Sequence, residues 1–153
     1  MIHVVPTHAV VRRRLTWLPV VALVSVLASM CSAVASASST PVLGWTHAFP
    51  NGAGFGHVKP SHVYLGGDPT GEVTSVHWQG WGGAKTVGHG TGWCPRSSVA
   101  DGYHCSVSLH VSNLGSCHGR RAYRVLVFYF KPGPHARWEF GSKWNACTGQ
   151  GIF

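Results

Sequence analysis

Glycine at every second position of one predicted strand restricts this chain more than any other feature. The stretch runs Trp78-Gln-Gly-Trp81-Gly-Gly-Ala-Lys-Thr-Val-Gly88-His-Gly90-Thr-Gly92-Trp93-Cys94. Successive side chains of a strand point to opposite faces, so Gly88, Gly90 and Gly92 leave one face of that strand bare. A bare strip marks close approach by a neighbour or a ligand. Glu72 to Trp81 alternates too, which predicts a partner strand. Gly82-Gly83 suits a two-residue primed turn, which needs positive φ at both central positions. That turn pairs Trp81 with Ala84, Trp78 with Val87, Val76 with His89 and Thr74 with Thr91. Val76, Trp78, Val87 and Trp93 then share the packed face. Ser75, His77, Gln79, Trp81, Thr86 and the glycines share the other. A slip of one residue would exchange the faces.

Further strands flank this hairpin. His62 to Gly66 is a short one, followed by the turn Gly67-Asp-Pro-Thr-Gly71, where Pro69 presets φ. Tyr103 to Ser112 alternates cleanly, with Tyr103, Cys105, Val107, Leu109 and Val111 on one side and His104, Ser106, Ser108, His110 and Ser112 on the other. Asn113 to Gly119 turns the chain. Arg121 to Phe130 is apolar on both faces, which predicts a central or doubly covered strand. Ala136 to Phe140 is a last short strand, and Trp144 to Phe153 is a tail. Residues 38–61, dense in Gly and Pro, read as an extended arm that Trp45, Phe49 and Phe55 could pin to the domain.

The N-terminus reads as an export signal. Arg12-Arg13-Arg14 precedes an apolar run from Leu15 to Met30, and small residues follow through Ala33, Ala35 and Ala37. Cleavage is expected after Ala37. A retained membrane anchor is the competing reading; Pro19 and the small-residue exit oppose it. Contact with a membrane is expected only if that segment is retained. Past residue 37, nine basic residues face four acids, Asp68, Glu72, Asp101 and Glu139, which leaves +5.

Cys94, Cys105, Cys117 and Cys147 remain after such cleavage, and an even count in an exported chain reads as two disulfides. Three pairings are open. Cys94–Cys105 with Cys117–Cys147 is favoured, because the first closes one loop and the second ties the tail to the sheet. Structural zinc would want a C-x-x-C pair, which is lacking. The expected fold is all-β: a small antiparallel β-sandwich or barrel of five to six strands, stapled by disulfides, after an N-terminal signal helix. Residues 62–153 form the domain.

Catalytic patterns are sparse. No G-x-S-x-G and no H-E-x-x-H occurs. Ser97, Ser98, Asp101 and His104 supply triad residue types only by proximity in a loop. Glu72 and Glu139 could serve a glycosidase if they faced each other. His77 and His89 fall on opposite faces in the register above. No metal or cofactor is expected, and no catalytic residue is assigned. The candidate binding residues are Trp81, His77 and Gln79 on the glycine face, and the basic cluster Arg120, Arg121 and Arg124 beside His118. A charged strand edge is the plainer account of that cluster, and burial is the plainer account of Trp81.

Pro60-Ser-His-Val-Tyr-Leu-Gly-Gly-Asp-Pro-Thr-Gly71, Trp78-x-x-Trp81-Gly-Gly-Ala and Gly88-His-Gly90 resemble a loosely defined group of small exported actinobacterial proteins. The likeness covers about Pro60 to Phe130. The group shows a Gly-Asp-Gly-type turn, a Trp-x-x-Trp hairpin, a small-residue strand and a short cysteine pair. Here the second cysteine near Cys94 is absent, so the resemblance carries no bridge pattern across. It implies secretion and a β domain, and no catalytic residues. The expected role is non-enzymatic: binding a cell-wall polymer or an extracellular protein, and no nucleic acid. A small envelope hydrolase using Glu72, Glu139 or the histidines, and a structural or inhibitory partner protein acting through its arm or an exposed edge strand, are the alternatives.

Overall fold

The computed structural model describes residues 39–153; the expected signal segment, residues 1–37, lies outside the described residues. Seven strands follow one another: β1 (Val42–Leu43), β2 (Val63–Tyr64), β3 (Glu72–Gln79), β4 (Lys85–Cys94), β5 (Tyr103–Cys117), β6 (Arg120–Lys131) and β7 (Glu139–Asn145). They form one sheet in the order β1-β6-β5-β4-β3-β2, with β7 also paired to β6. The sheet curls into a half-barrel. The all-β class, the mainly antiparallel pairing and both disulfides, Cys94–Cys105 and Cys117–Cys147, agree with the sequence. The added strand is β1, which runs parallel to β6 at Ala122 and Tyr123. β7 runs antiparallel along the rest of the same edge, from Val125 to Phe130.

Where β1 and β7 meet, the backbones nearly touch. Gly44 sits at φ +51, and a Cβ there would run into the carbonyl of Ala146. Trp45 N–H donates to that same carbonyl at 3.0 Å, and Gly44 N–H to Tyr123 O at 3.0 Å. The Cys117–Cys147 bridge closes over this junction, beside buried Val42 and Ala122.

The inner face of β5 is Cys105, Val107, Leu109 and Val111, all buried as the alternation predicted. Leu126 and Phe128 of β6 continue it, while Val125, Val127 and Tyr129 on the other side are half-buried. β6 is therefore central, with one face closed and one partly open. The inner face is covered by the segment expected as an extended arm. That segment has little regular structure, but Leu43, Ala48, Phe49 and Phe55 belong to the main core.

The hairpin register differs from the expected one. Thr74 pairs with Thr91 as predicted, but His77 pairs with His89, Trp78 with Gly88 and Gln79 with Val87. A bulge between Thr74 and His77 puts one extra residue into β3, with Ser75 at φ 54. The Gly82-Gly83 two-residue turn does not form, since β3 ends at Gln79 and residues 80–84 make the connection. Tertiary bonds hold that loop: the Tyr123 hydroxyl donates to Gly83 O at 2.9 Å and accepts from Gly82 N–H at 2.8 Å. The Thr86 hydroxyl also donates to Gln79 O. The primed two-residue turn is at His118-Gly119 instead, with φ 48 and 81, because β5 runs on to Cys117. The last strand also lies later than expected, at Glu139–Asn145. It continues through Gly141, the site of its bulge, where a Cβ would meet the Phe130 ring.

Val76 and Trp78 thus stay inside as predicted, but they share the face of the glycines. A Cβ on Gly88 would come 2.7 Å from Val76 Cγ1 and 2.8 Å from Trp78 Cε3. Gly88→Ala should therefore lower unfolding stability by about 1–3 kcal/mol through overpacking. Gly133→Ala, where nothing lies within 4 Å, should be near neutral. Urea midpoints of the two variants compare them directly, and equal midpoints would contradict this packing.

Candidate binding face

The extra residue in β3 decides which side chains share the outer face. Across the ladder, His77 of β3 lies opposite His89 of β4, His89 opposite Ser108 of β5, Ser108 opposite Tyr129 of β6, and Tyr129 opposite Phe140 of β7. The next row on the same side is Gln79, Val87, His110, Val127 and Lys143. His77 and His89, expected on opposite faces, are direct cross-strand neighbours. Val87 and Trp93, expected in the packed face, are on this outer side.

Aromatic rings cluster at the β7 end. Tyr129 and Phe140 meet edge to face at 6.0 Å, His110 tilts against Tyr129 at 4.7 Å, and Trp138 lies 6.0 Å from His89. Trp138 is 44% exposed and Phe140 63%. Ser108 is buried beneath this group, and its hydroxyl lies 3.0 Å from His110 Nε2. Partial burial, and then the neighbouring His89, hold the His110 imidazole below its ordinary range. Among the described residues no group of three or more His, Cys, Asp or Glu side chains is placed to hold a metal ion.

The sequence-predicted binding residues separate. His77 and Gln79 are on the open face. Trp81 is on the inner side: its indole N–H donates to Pro41 O at 2.9 Å, and its ring packs edge to face on Trp78 and Tyr123. It is half-buried and packs against the core under the N-terminal segment. The arginines lie at the β5–β6 hairpin end. Arg121 donates to Ser39 O at 3.0 Å, and Arg124 clamps Asn113 through its carbonyl and its side chain at 3.3 and 2.7 Å. Arg120 is exposed beside the turn, and His118 stacks on Trp45 at 3.8 Å. The cluster thus serves largely to fasten the hairpin and the N-terminal segment.

The catalytic alternatives can be located as well. Ser97 and Ser98 both donate to Asp101 Oδ2, at 3.0 and 2.8 Å, with no histidine between. These bonds, Ser98's first, hold the Asp101 carboxyl below its ordinary range. His104 packs against Trp93 instead. A cleft of about 430 Å³ opens at the inner end of the sheet, lined by Leu65, Tyr103, Phe130, Glu139 and Trp144. Glu139 is its one carboxylate. Glu72 lines a different, smaller recess and accepts a 2.9 Å bond from His62 Nε2. A glycosidase pair needs two carboxylates flanking one bond, and these two line separate sites.

Sequence reasoning missed Tyr129, Trp138, Phe140, His89 and His110 as one surface. The signal for Trp138 and Phe140 was present in their spacing, two apart on a strand edge. The signal for the histidines was hidden by the bulge. Comparison with protein-family models, with curated proteins and with solved structures finds no match to this chain.

Proposed function

We propose that this chain is an exported, non-catalytic β domain that binds a cell-surface or extracellular polymer on the outer face of its sheet. One observation carries the reading: Trp138 and Phe140 stand exposed beside Tyr129 and a row of histidines on a face that the domain itself leaves open. Exposed rings of this size are costly to leave in water and stack well on the apolar faces of sugars. Export is supported by the signal-like N-terminus, by the two bridges, which persist in oxidising compartments, and by the resemblance over Pro60 to Phe130. Of the two routes open to the partner-protein alternative, the arm is disfavoured, because Phe49 and Phe55 are committed to the domain's own core.

The test is retention on insoluble cell-wall and extracellular polymers. Trp138→Ala and Phe140→Ala should each weaken retention by about tenfold, and thermal stability should hardly change. Undiminished retention by the double variant would remove the outer face from the proposal. Loss of retention on Arg120→Ala alone would move the site to the hairpin end.

A further inference from the structure

The outer face carries one acid, Glu72, at the corner it shares with Thr74, Trp93 and His104. The chain has four carboxylates, and each is already engaged or placed elsewhere. Asp68 caps the 3-10 turn Pro69–Gly71, Glu72 is bonded to His62, and Asp101 holds Ser97 and Ser98. Glu139 pairs with Phe130 and lines the inner cleft. The cations are not so dispersed. Strand alternation puts Lys85 and His89 of β4, His104 and His110 of β5, Lys131 of β6 and Lys143 of β7 on the same side as His77 of β3. The loop between β6 and β7, which brings Trp138 to this face, also carries His135 and Arg137. Like charges gathered on one face, whose single acid is already bonded to His62, repel one another, and an anionic ligand relieves that repulsion.

Taking this face as the polymer-binding surface proposed above, we infer that its ligand is a uronate-bearing polysaccharide, bound more tightly as the medium acidifies. Each sugar ring offers an apolar face to Tyr129, Trp138 or Phe140 and brings one carboxylate to a nearby cation. The row from His77 to Phe140 crosses five strands, roughly 19 Å at strand spacing. Three lysines over that breadth, with Arg137 in the adjoining loop, are a sparse fixed charge. They suit one carboxylate per ring better than duplex DNA, whose charges fall about every 1.7 Å.

The pH dependence follows from side-chain type. Imidazole gains its charge between about pH 5 and pH 8, whereas uronate carboxylates stay ionised down to about pH 4. Acid therefore adds positive charge to the face while the polymer keeps its negative charge. Partial burial, and then the neighbouring His89, hold His110 below the ordinary 6.5. A depressed value means that its contribution to folding is present above 6.5 and is lost as pH falls through the folded value. A bound polyanion offsets that loss, so ligand stabilisation should grow toward acid.

The experiment measures binding of the folded, disulfide-bonded protein to polygalacturonate, neutral dextran and duplex DNA. Polygalacturonate should bind about tenfold more tightly at about pH 5.5 than at about pH 7.5, and less tightly as salt is raised. The His77→Ala/His89→Ala variant should lose most of that gain, and Lys59→Ala, off this face, should keep it. In thermal denaturation, polygalacturonate should raise Tm more at the lower pH, a readout that needs no variant. Equal binding to dextran at both pH values would overturn the acidic ligand and leave polymer binding standing. Duplex DNA bound as tightly as polygalacturonate would overturn the uronate assignment. Failure to bind this or any cell-surface polymer would overturn both readings.

Discussion

Phe49→Ala should lower the free energy of unfolding by about 3–5 kcal/mol, the range for truncating a buried phenylalanine. The residue comes from a Gly- and Pro-rich stretch with almost no regular structure, yet it is 6% exposed. Its ring lies 4.5 Å from Phe55 and 5.7 Å edge to face from Trp144 of β7. Truncation opens a cavity bordered by rigid neighbours, since Ala48 O crowds Gly149 and Phe49 O accepts from Gly52 N–H at 3.0 Å. A site so tied cannot collapse, which places the cost high in the range. Domains of this size have about 5–15 kcal/mol in all, so the variant sits near the edge of folding. Phe49→Leu keeps most of the apolar volume and should fall in between. Val58→Ala, in the same segment but 46% exposed, should change stability by no more than about 0.5 kcal/mol. Urea denaturation of the three variants checks the ranking. A loss below about 1 kcal/mol for Phe49→Ala would mean that the segment only lies against the domain.

That expectation marks where the sequence was legible and where it was not. Alternation in Tyr103 to Val111 announced an inner and an outer face, and both are where the pattern put them, because a period of two leaves no freedom once one face is buried. Of the three cysteine pairings left open, the favoured one is found, with one bridge closing the loop between β4 and β5 and the other tying the tail to the sheet. Residues 38–61 were read from their punctuation, and Gly and Pro do deny them a ladder. Side-chain burial does not need a ladder, however, and a half-barrel this small must fill its open side with whatever chain is near. The hairpin shows a second limit. Gly82-Gly83 has strong local preference for a primed turn, but Tyr123, forty residues away, bonds to both glycines and holds the wider loop. A single bulge at Ser75 then reversed the relation between β3 and β4. Every outer-face residue of β4 changed sides in the process, and His89 moved next to His77. No periodicity within β3 or β4 alone records that extra residue, and the make-up of the outer face depends on it.

Replacing Cys117 and Cys147 by alanine should cost about 4 kcal/mol, and replacing Cys94 and Cys105 about 3 kcal/mol, from the closed-loop lengths in the unfolded chain. The two bridges span 30 and 11 residues of sequence. The difference in the native state should exceed that in loop entropy. Cys94 and Cys105 sit on β4 and β5, which ten ladder pairs from Lys85 to Cys94 already hold together. Breaking their bridge leaves the sheet zipped. Cys117 and Cys147 join the end of β5 to the residues after β7, with β6 between them. Without that bond, Ala146 keeps only its backbone bonds to Arg124 and Trp45 across the β1–β7 junction. Buried Val42 and Ala122 lose a cover, and the tail that pairs Gly151 with Trp144 is free to peel away. Hydrogen exchange in the Cys117→Ala/Cys147→Ala variant should therefore rise first in residues 42–45 and 144–152, well before the β4–β5 ladder. In the Cys94→Ala/Cys105→Ala variant it should rise only near the loop 95–102. Uniform exchange across the sheet in both variants would show that the bridges act on the unfolded chain alone, and that the β1–β7 junction holds without its staple.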